Sequence, residues 1–189
     1  MNLAVEGEVT RWAQAELDKY GVLSIREVAW ELLRKGYSDR HREIAETASS
    51  ILGTLKLRKH GFMERSRYGR PEHFQLKERA YRYVATNYHI FKIGVEVELP
   101  VADPDLREVS ESGIPIPDLF FETNKGNVWV ECQTANSQSG LSKKGRYLRM
   151  FPNAYSVFIL AAYGQDSRTV SDLKSAVESS GKTFVFLSL

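Results

Sequence analysis

Cysteine occurs once in this chain, at Cys132, which excludes an internal disulfide and any zinc site built from clustered cysteines. Long apolar runs are missing as well. The longest candidate, residues 154–163, is far shorter than the roughly 18 residues a membrane-spanning helix requires, and it reads as a buried strand. No large charge excess of either sign exists, because 26 Lys and Arg stand against 24 Asp and Glu, for a net charge of +2. The four histidines, His41, His60, His73 and His89, show no metal-ligand spacing. The first residues lack the basic and apolar parts of a secretory leader. These absences lead to the expectation of a cytoplasmic, intracellular protein with no membrane association and no small-molecule cofactor. What remains is a globular composition in 189 residues, enough for one large domain or two small ones.

Charge is uneven along the chain. Between residues 53 and 70, Lys56, Arg58, Lys59, Arg65, Arg67 and Arg70 face a single acid, Glu64. The stretch before it is helical in pattern. Residues 4–19 place Val5, Val9, Trp12, Ala13 and Leu17 along one side. Ser24 with Glu27 three residues later forms a capping-box pattern, followed by the stripe Ile25, Val28, Ala29, Leu32 and Leu33. Ser38 or Asp39 is the expected cap of a third helix, carrying Ile44, Ala48, Ile51 and Leu52 and reaching about Lys59, where His60 and Gly61 close it. Residues 62–68 and 72–77 then predict two short strands around a turn at Tyr68 to Pro71.

Three helices followed by a basic hairpin resemble the winged helix-turn-helix family. The resemblance implies a DNA-binding domain over residues 1–77. In it Arg40, Arg42 and Ser49 on the third helix would reach base edges, and Arg65, Arg67 and Arg70 in the wing would meet phosphates or a minor groove. The plainer alternative is a solvated helix face and a polar hairpin, or a protein-interaction module.

The second half alternates differently. Residues 77–86 predict a helix, 90–99 a strand, 100–115 a polar loop, and 117–123 and 127–133 two strands. A helix over 142–150, a strand near 155–162, a helix over 171–179 and a last strand from 183 complete the chain. The expected fold class is therefore mixed α/β, a β-sheet core flanked by helices. Two of the strands carry acids inside apolar runs. Asp118 follows Pro117, and Glu131 lies between Val130 and Cys132, two residues before Gln133. Twelve residues separate the two acids, enough for a strand, a tight turn and most of the next strand, so the carboxylates fall on neighbouring antiparallel strands. Paired carboxylates suit a hard cation.

Pro117–Asp118, the gap, and Glu131–Cys132–Gln133 resemble the signature of the PD-(D/E)xK nuclease superfamily, with Gln in place of the final Lys. Type II restriction enzymes and archaeal Holliday junction resolvases belong to that superfamily. The resemblance spans residues 78–189 and implies a restriction-endonuclease-like core. It implies Mg²⁺ or Mn²⁺ held by Asp118, Glu131 and the backbone carbonyl of Cys132, with Gln133 orienting water. A further acid is expected upstream, at Glu78 by analogy with the resolvases, or at Glu96 or Glu98 on the preceding strand. The positive charge missing at Gln133 is sought in Lys143 or Lys144, while Lys144 and Arg146 are also candidates for contacts to the DNA backbone.

Each acid has a structural alternative. Asp118 at a strand start can satisfy local backbone donors, and Glu131 can be a charge that discourages edge pairing. Cys132 faces away from the polar stripe and reads as a small core residue. The leading functional expectation is a metal-dependent DNA endonuclease targeted by a winged helix and acting as a homodimer. The alternatives are a non-catalytic DNA-binding regulator or replication-associated protein on a degraded nuclease fold, and a protein-interaction module.

Overall fold

Ser24 and Glu27 form the reciprocal cap that the sequence encodes. In the computed structural model the Glu27 N–H donates to Ser24 Oγ at 3.2 Å, and the Ser24 N–H donates to the Glu27 carboxylate at 2.7 Å. Two backbone donors that a helix start would otherwise leave open are thereby satisfied. The structure describes residues 2–57, 60–65, 70–96, 116–134, 144–145, 147–164 and 167–189. It divides into two compact units, residues 1–74 and 75–189.

The first unit contains α1 (Leu3–Tyr20), β1 (Val22–Ser24), α2 (Ile25–Arg34), α3 (His41–Thr54) and β2 (Phe62–Glu64). Helical spacing brings Val9, Ala13 and Leu17 of α1 together with Val28 and Leu32 of α2 and Ile44, Ala48, Ile51 and Leu52 of α3 in one core. Each large aliphatic residue buried there contributes about 1.5–3 kcal/mol before chain entropy is subtracted.

Three expectations for this unit are corrected. The cap of α3 is Arg40, without a side-chain cap bond, because Ser38 Oγ donates instead to the Glu43 carboxylate at 2.8 Å. The helix also stops at Thr54, short of Lys59. Leu55 turns extended, and Gln14 of α1 clasps the next residue, donating to the Lys56 carbonyl at 2.8 Å and accepting from the Lys56 N–H at 3.0 Å. Finally, residues 72–77 form no second wing strand. They belong to α4 (Pro71–Asn87), whose buried positions Leu76, Lys77, Ala80, Tyr81 and Val84 follow a helical period over a longer stretch than the Phe74–Leu76 alternation. Among the described residues of the first expected wing strand, Phe62–Glu64 is a strand and pairs in parallel with β1, while residues 66–68 lie outside the described residues. Gly61 permits that pairing, because a Cβ there would sit 1.9 Å from the Gly21 carbonyl oxygen.

The second unit is built on a five-stranded sheet in the order β3 (Ile90–Val95), β4 (Leu119–Thr123), β5 (Gly126–Gln133), β6 (Val157–Ala162) and β7 (Thr183–Ser188). The first two pairings are antiparallel and the last two parallel. Parallel neighbours need long crossovers. One contains α5 (147–150, with 144–145 also helical) and the other contains α6 (Ser167–Glu178). Every residue of β6 is buried, as expected for a strand covered on both faces. On one face Trp129, Leu148, Tyr155, Phe158, Leu173 and Val177 pack together. On α4 the Tyr81 ring lies 6.4 Å from that of Phe121 on β4. Among the described residues no helix is long and apolar enough to cross a membrane.

Candidate functional site

The β4–β5 register places Leu119 opposite Val130, and Asp118, one step before, meets the backbone of Val130 and Cys132. The Asp118 N–H donates to the Val130 carbonyl at 3.1 Å, and its carboxylate accepts from the Cys132 N–H at 2.6 Å. A charged acceptor thus continues the ladder where the main chain of β4 ends, roughly doubling the strength of an ordinary amide bond. On the other side the Glu96 N–H donates to the Asp118 carbonyl at 3.2 Å. Asp118 therefore ties three strands together at one sheet end, and part of its carboxylate serves the local backbone role foreseen as its structural alternative.

Glu131 is only 3% exposed and lies inside the buried run Val128–Cys132. An isolated carboxylate in such a place would cost several kcal/mol. Its two oxygens are divided between different partners. Oε1 accepts from the Trp129 indole N–H at 2.9 Å, two residues earlier on the same strand face. Oε2 meets the Lys144 ammonium, which comes from the crossover segment. Burial pulls the Lys144 ammonium below its ordinary value, and the charge of Asp118 works against that. Lys144 therefore touches one of the two predicted acids and lies in the field of the other. Its side chain is otherwise partly exposed.

Cys132 is buried, and its thiol is pushed well up, first by burial and then by Asp118, with Lys77 opposing. Its Sγ lies within 4.8 Å of an Asp118 carboxylate oxygen. Lys77 is completely buried on α4, and its ammonium donates to Glu96 Oε1 at 2.6 Å. Glu96 follows β3 with a left-handed backbone, φ +50, a conformation that a non-glycine residue adopts only when its surroundings hold it there. The sequence names Glu96 beside Glu98 and Glu78 as candidates for the upstream acid but does not reach Lys77. The available signal for Lys77 is its position between Leu76 and Ala80 on the buried stripe of α4.

The other expected residues are placed as follows. Glu78 is paired with Arg82 one turn along α4. Gln133 ends β5, and its carbonyl accepts from the Tyr163 N–H at 3.3 Å. Arg40 and Arg42 are exposed and pair with Glu43 and Glu46 at 3.0 and 2.9 Å, surface pairs of little stability value. Ser49, Arg65 and Arg70 are exposed. Glu98, Arg67, Lys143 and Arg146 lie outside the described residues.

No family model matches the chain, and searches of the curated proteins and of the solved structures find no match either.

Proposed function

We propose that the second unit is a divalent-metal-dependent phosphodiester hydrolase acting on DNA, built on a restriction-endonuclease-like core. One observation carries this reading. An antiparallel β3-β4-β5 sheet continues in parallel into β6, with Asp118 at the start of β4 and Glu131 near the end of β5. That order and those positions are what the PD-(D/E)xK resemblance calls for. The donors also suit a hard cation such as Mg²⁺ or Mn²⁺, because two carboxylates and the Cys132 carbonyl offer only oxygen. The buried thiol is the poor ligand of the group, since its proton is held firmly.

Asp118 and Glu131 would hold the cation with that carbonyl. When bound, such a cation neutralises charge on a phosphate oxygen and acidifies its water. Gln133 orients a water without contributing charge. Trp129 fixes the plane of the Glu131 carboxylate, and the Asp118 bond to Cys132 fixes the strand that presents the carbonyl.

The first unit is proposed to hold duplex DNA as a winged-helix-like module. Its support is the three-helix core with Arg40, Arg42 and Ser49 exposed on or beside α3, and Arg65 and Arg70 exposed further on. A two-fold homodimer on symmetric DNA is part of the same proposal.

A non-catalytic DNA-binding regulator or replication-associated factor is the second reading. It is favoured by the partners of Glu131, both of whose oxygens are engaged by Trp129 and Lys144, in a site where Gln133 brings no charge. Labelled duplex and four-way-junction DNA incubated with Mg²⁺, Mn²⁺ or EDTA separates the two. Metal-dependent cutting by the wild type that vanishes in Asp118→Ala supports the hydrolase. Binding without cutting under every metal supports the second reading.

A further inference from the structure

We infer that Lys144 is a built-in competitor for the divalent cation at Glu131. Cation binding displaces its ammonium from Oε2, and the freed charge then serves the phosphate in place of the lysine that Gln133 replaces. The inference rests on the metal-dependent reading above.

The division of the Glu131 carboxylate is the first support. Oε1 is held by Trp129, whose ring is locked edge-on against Tyr155 at 5.7 Å and Phe158 at 6.2 Å. That partner cannot leave without opening an aromatic core. Oε2 is held by the end of a long, flexible side chain that retains 25% exposure. One oxygen is therefore anchored and the other is exchangeable. The anchor keeps the carboxylate in place for whichever cation takes Oε2.

Charge is the second support. Glu131, Asp118 and Lys144 together carry one net negative charge. A divalent cation added to all three would leave a net positive charge in a largely buried site. Two cations at one carboxylate oxygen also repel strongly in such surroundings. Removing Lys144 from Oε2 leaves two carboxylates against a doubly charged ion, which balances. Lys77 is paired with Glu96, and the part of its positive charge that reaches Cys132 adds to the repulsion of a further cation. Lys144 has partial access to solvent, so the displaced ammonium has somewhere to go.

The test is Mn²⁺ binding to the full-length protein without DNA, followed by the electron paramagnetic resonance of the free ion. Lys144→Met is expected to bind Mn²⁺ roughly tenfold more tightly than the wild type, the size of one charged hydrogen bond removed from competition. Lys144→Arg, which keeps the charge, is expected to bind no more tightly than the wild type. A merely structural ion pair would leave affinity unchanged or weaken it, and that result overturns the inference. Failure of the underlying metal reading looks different, since neither the wild type nor Lys144→Met would then bind Mn²⁺ in a way that Glu131→Gln abolishes. A measurement on the wild type alone guards against a misfolded variant. Acetylation of Lys144, mapped by peptide mass spectrometry, is expected to speed up on addition of Mn²⁺. An unchanged rate in protein shown to bind Mn²⁺ also overturns the exchange.

Discussion

The indole of Trp129 donates to Glu131 across 2.9 Å on the same face of β5, linking the aromatic core of the second unit to its buried carboxylate. Trp129→Phe retains most of the ring packing but removes the donor. Loss of a buried bond to a charged acceptor is expected to destabilise the protein by about 1–3 kcal/mol. Urea denaturation measures the loss, and Mn²⁺ affinity is expected to fall with it because the carboxylate loses its anchor.

Asp118 has two roles, and two substitutions separate them. Asp118→Asn keeps an oxygen for the Cys132 N–H, whereas Asp118→Ala leaves that donor without it. Both are expected to abolish cutting. Only Asp118→Ala is expected to lose roughly 1–3 kcal/mol of stability as well. Equal denaturation midpoints for the two variants would show that the strand-end bond contributes nothing.

Stability is expected to fall on the alkaline side. Burial pushes the Tyr155 phenol up to about 12, and burial with the nearby Asp118 pushes the Cys132 thiol well above its ordinary value. Both groups keep their proton in the folded chain at pH values where the unfolded chain has released it. Their contribution is therefore intact below the unfolded values, near 8.5 for the thiol and about 10 for the phenol, and it declines above them. For Tyr155 the decline continues until its folded value of about 12 is reached. Urea midpoints measured near neutrality and at about pH 10.5 are expected to differ, and Cys132→Ala is expected to remove the part that begins earliest.

In the first unit, Gly61→Ala places a methyl group against the Gly21 carbonyl oxygen. The Phe62 N–H to Gly21 carbonyl bond, 2.9 Å long, must then open. A loss of about 2 kcal/mol or more is expected, with little change in the chemistry of the second unit. Thermal unfolding of the variant beside the wild type measures it.

Arg65 and Arg70 are exposed on either side of residues 66–69. Changing both to alanine is expected to weaken duplex binding across sequences. The salt slope is expected to fall by about one for each phosphate that the two arginines no longer neutralise. Fluorescence anisotropy at several salt concentrations reads the slope. An unchanged slope would remove Arg65 and Arg70 from the proposed interface.

The parts of the fold that local rules govern are legible in the sequence. The Ser24–Glu27 cap follows from residue type and spacing, and the β4–β5 pair follows from apolar runs divided by a Gly-containing turn. The common face of Trp129, Glu131 and Gln133 is also a two-residue periodicity. The start of α4 misleads because Phe74 and Leu76 alternate like a short strand. Only the longer period through Ala80, Tyr81 and Val84 decides for a helix. The third helix ends early because Gln14, more than 40 positions away, clasps Lys56, and no local pattern encodes such a contact. Lys144 and Lys77 illustrate the same limit within the site. Each ammonium meets its carboxylate through the tertiary arrangement of a helix and a strand, at a sequence separation of 13 and 19 residues.

Diffraction from crystals soaked in Mn²⁺, recorded to locate the anomalous signal of the ion, tests the metal site most directly. The expected result is a single strong peak bounded by Asp118, Glu131 Oε2 and the Cys132 carbonyl, with the Lys144 ammonium withdrawn from Glu131. A peak absent from that position, with Lys144 still seated on Glu131 at saturating Mn²⁺, would contradict both the metal-dependent reading and the exchange built on it.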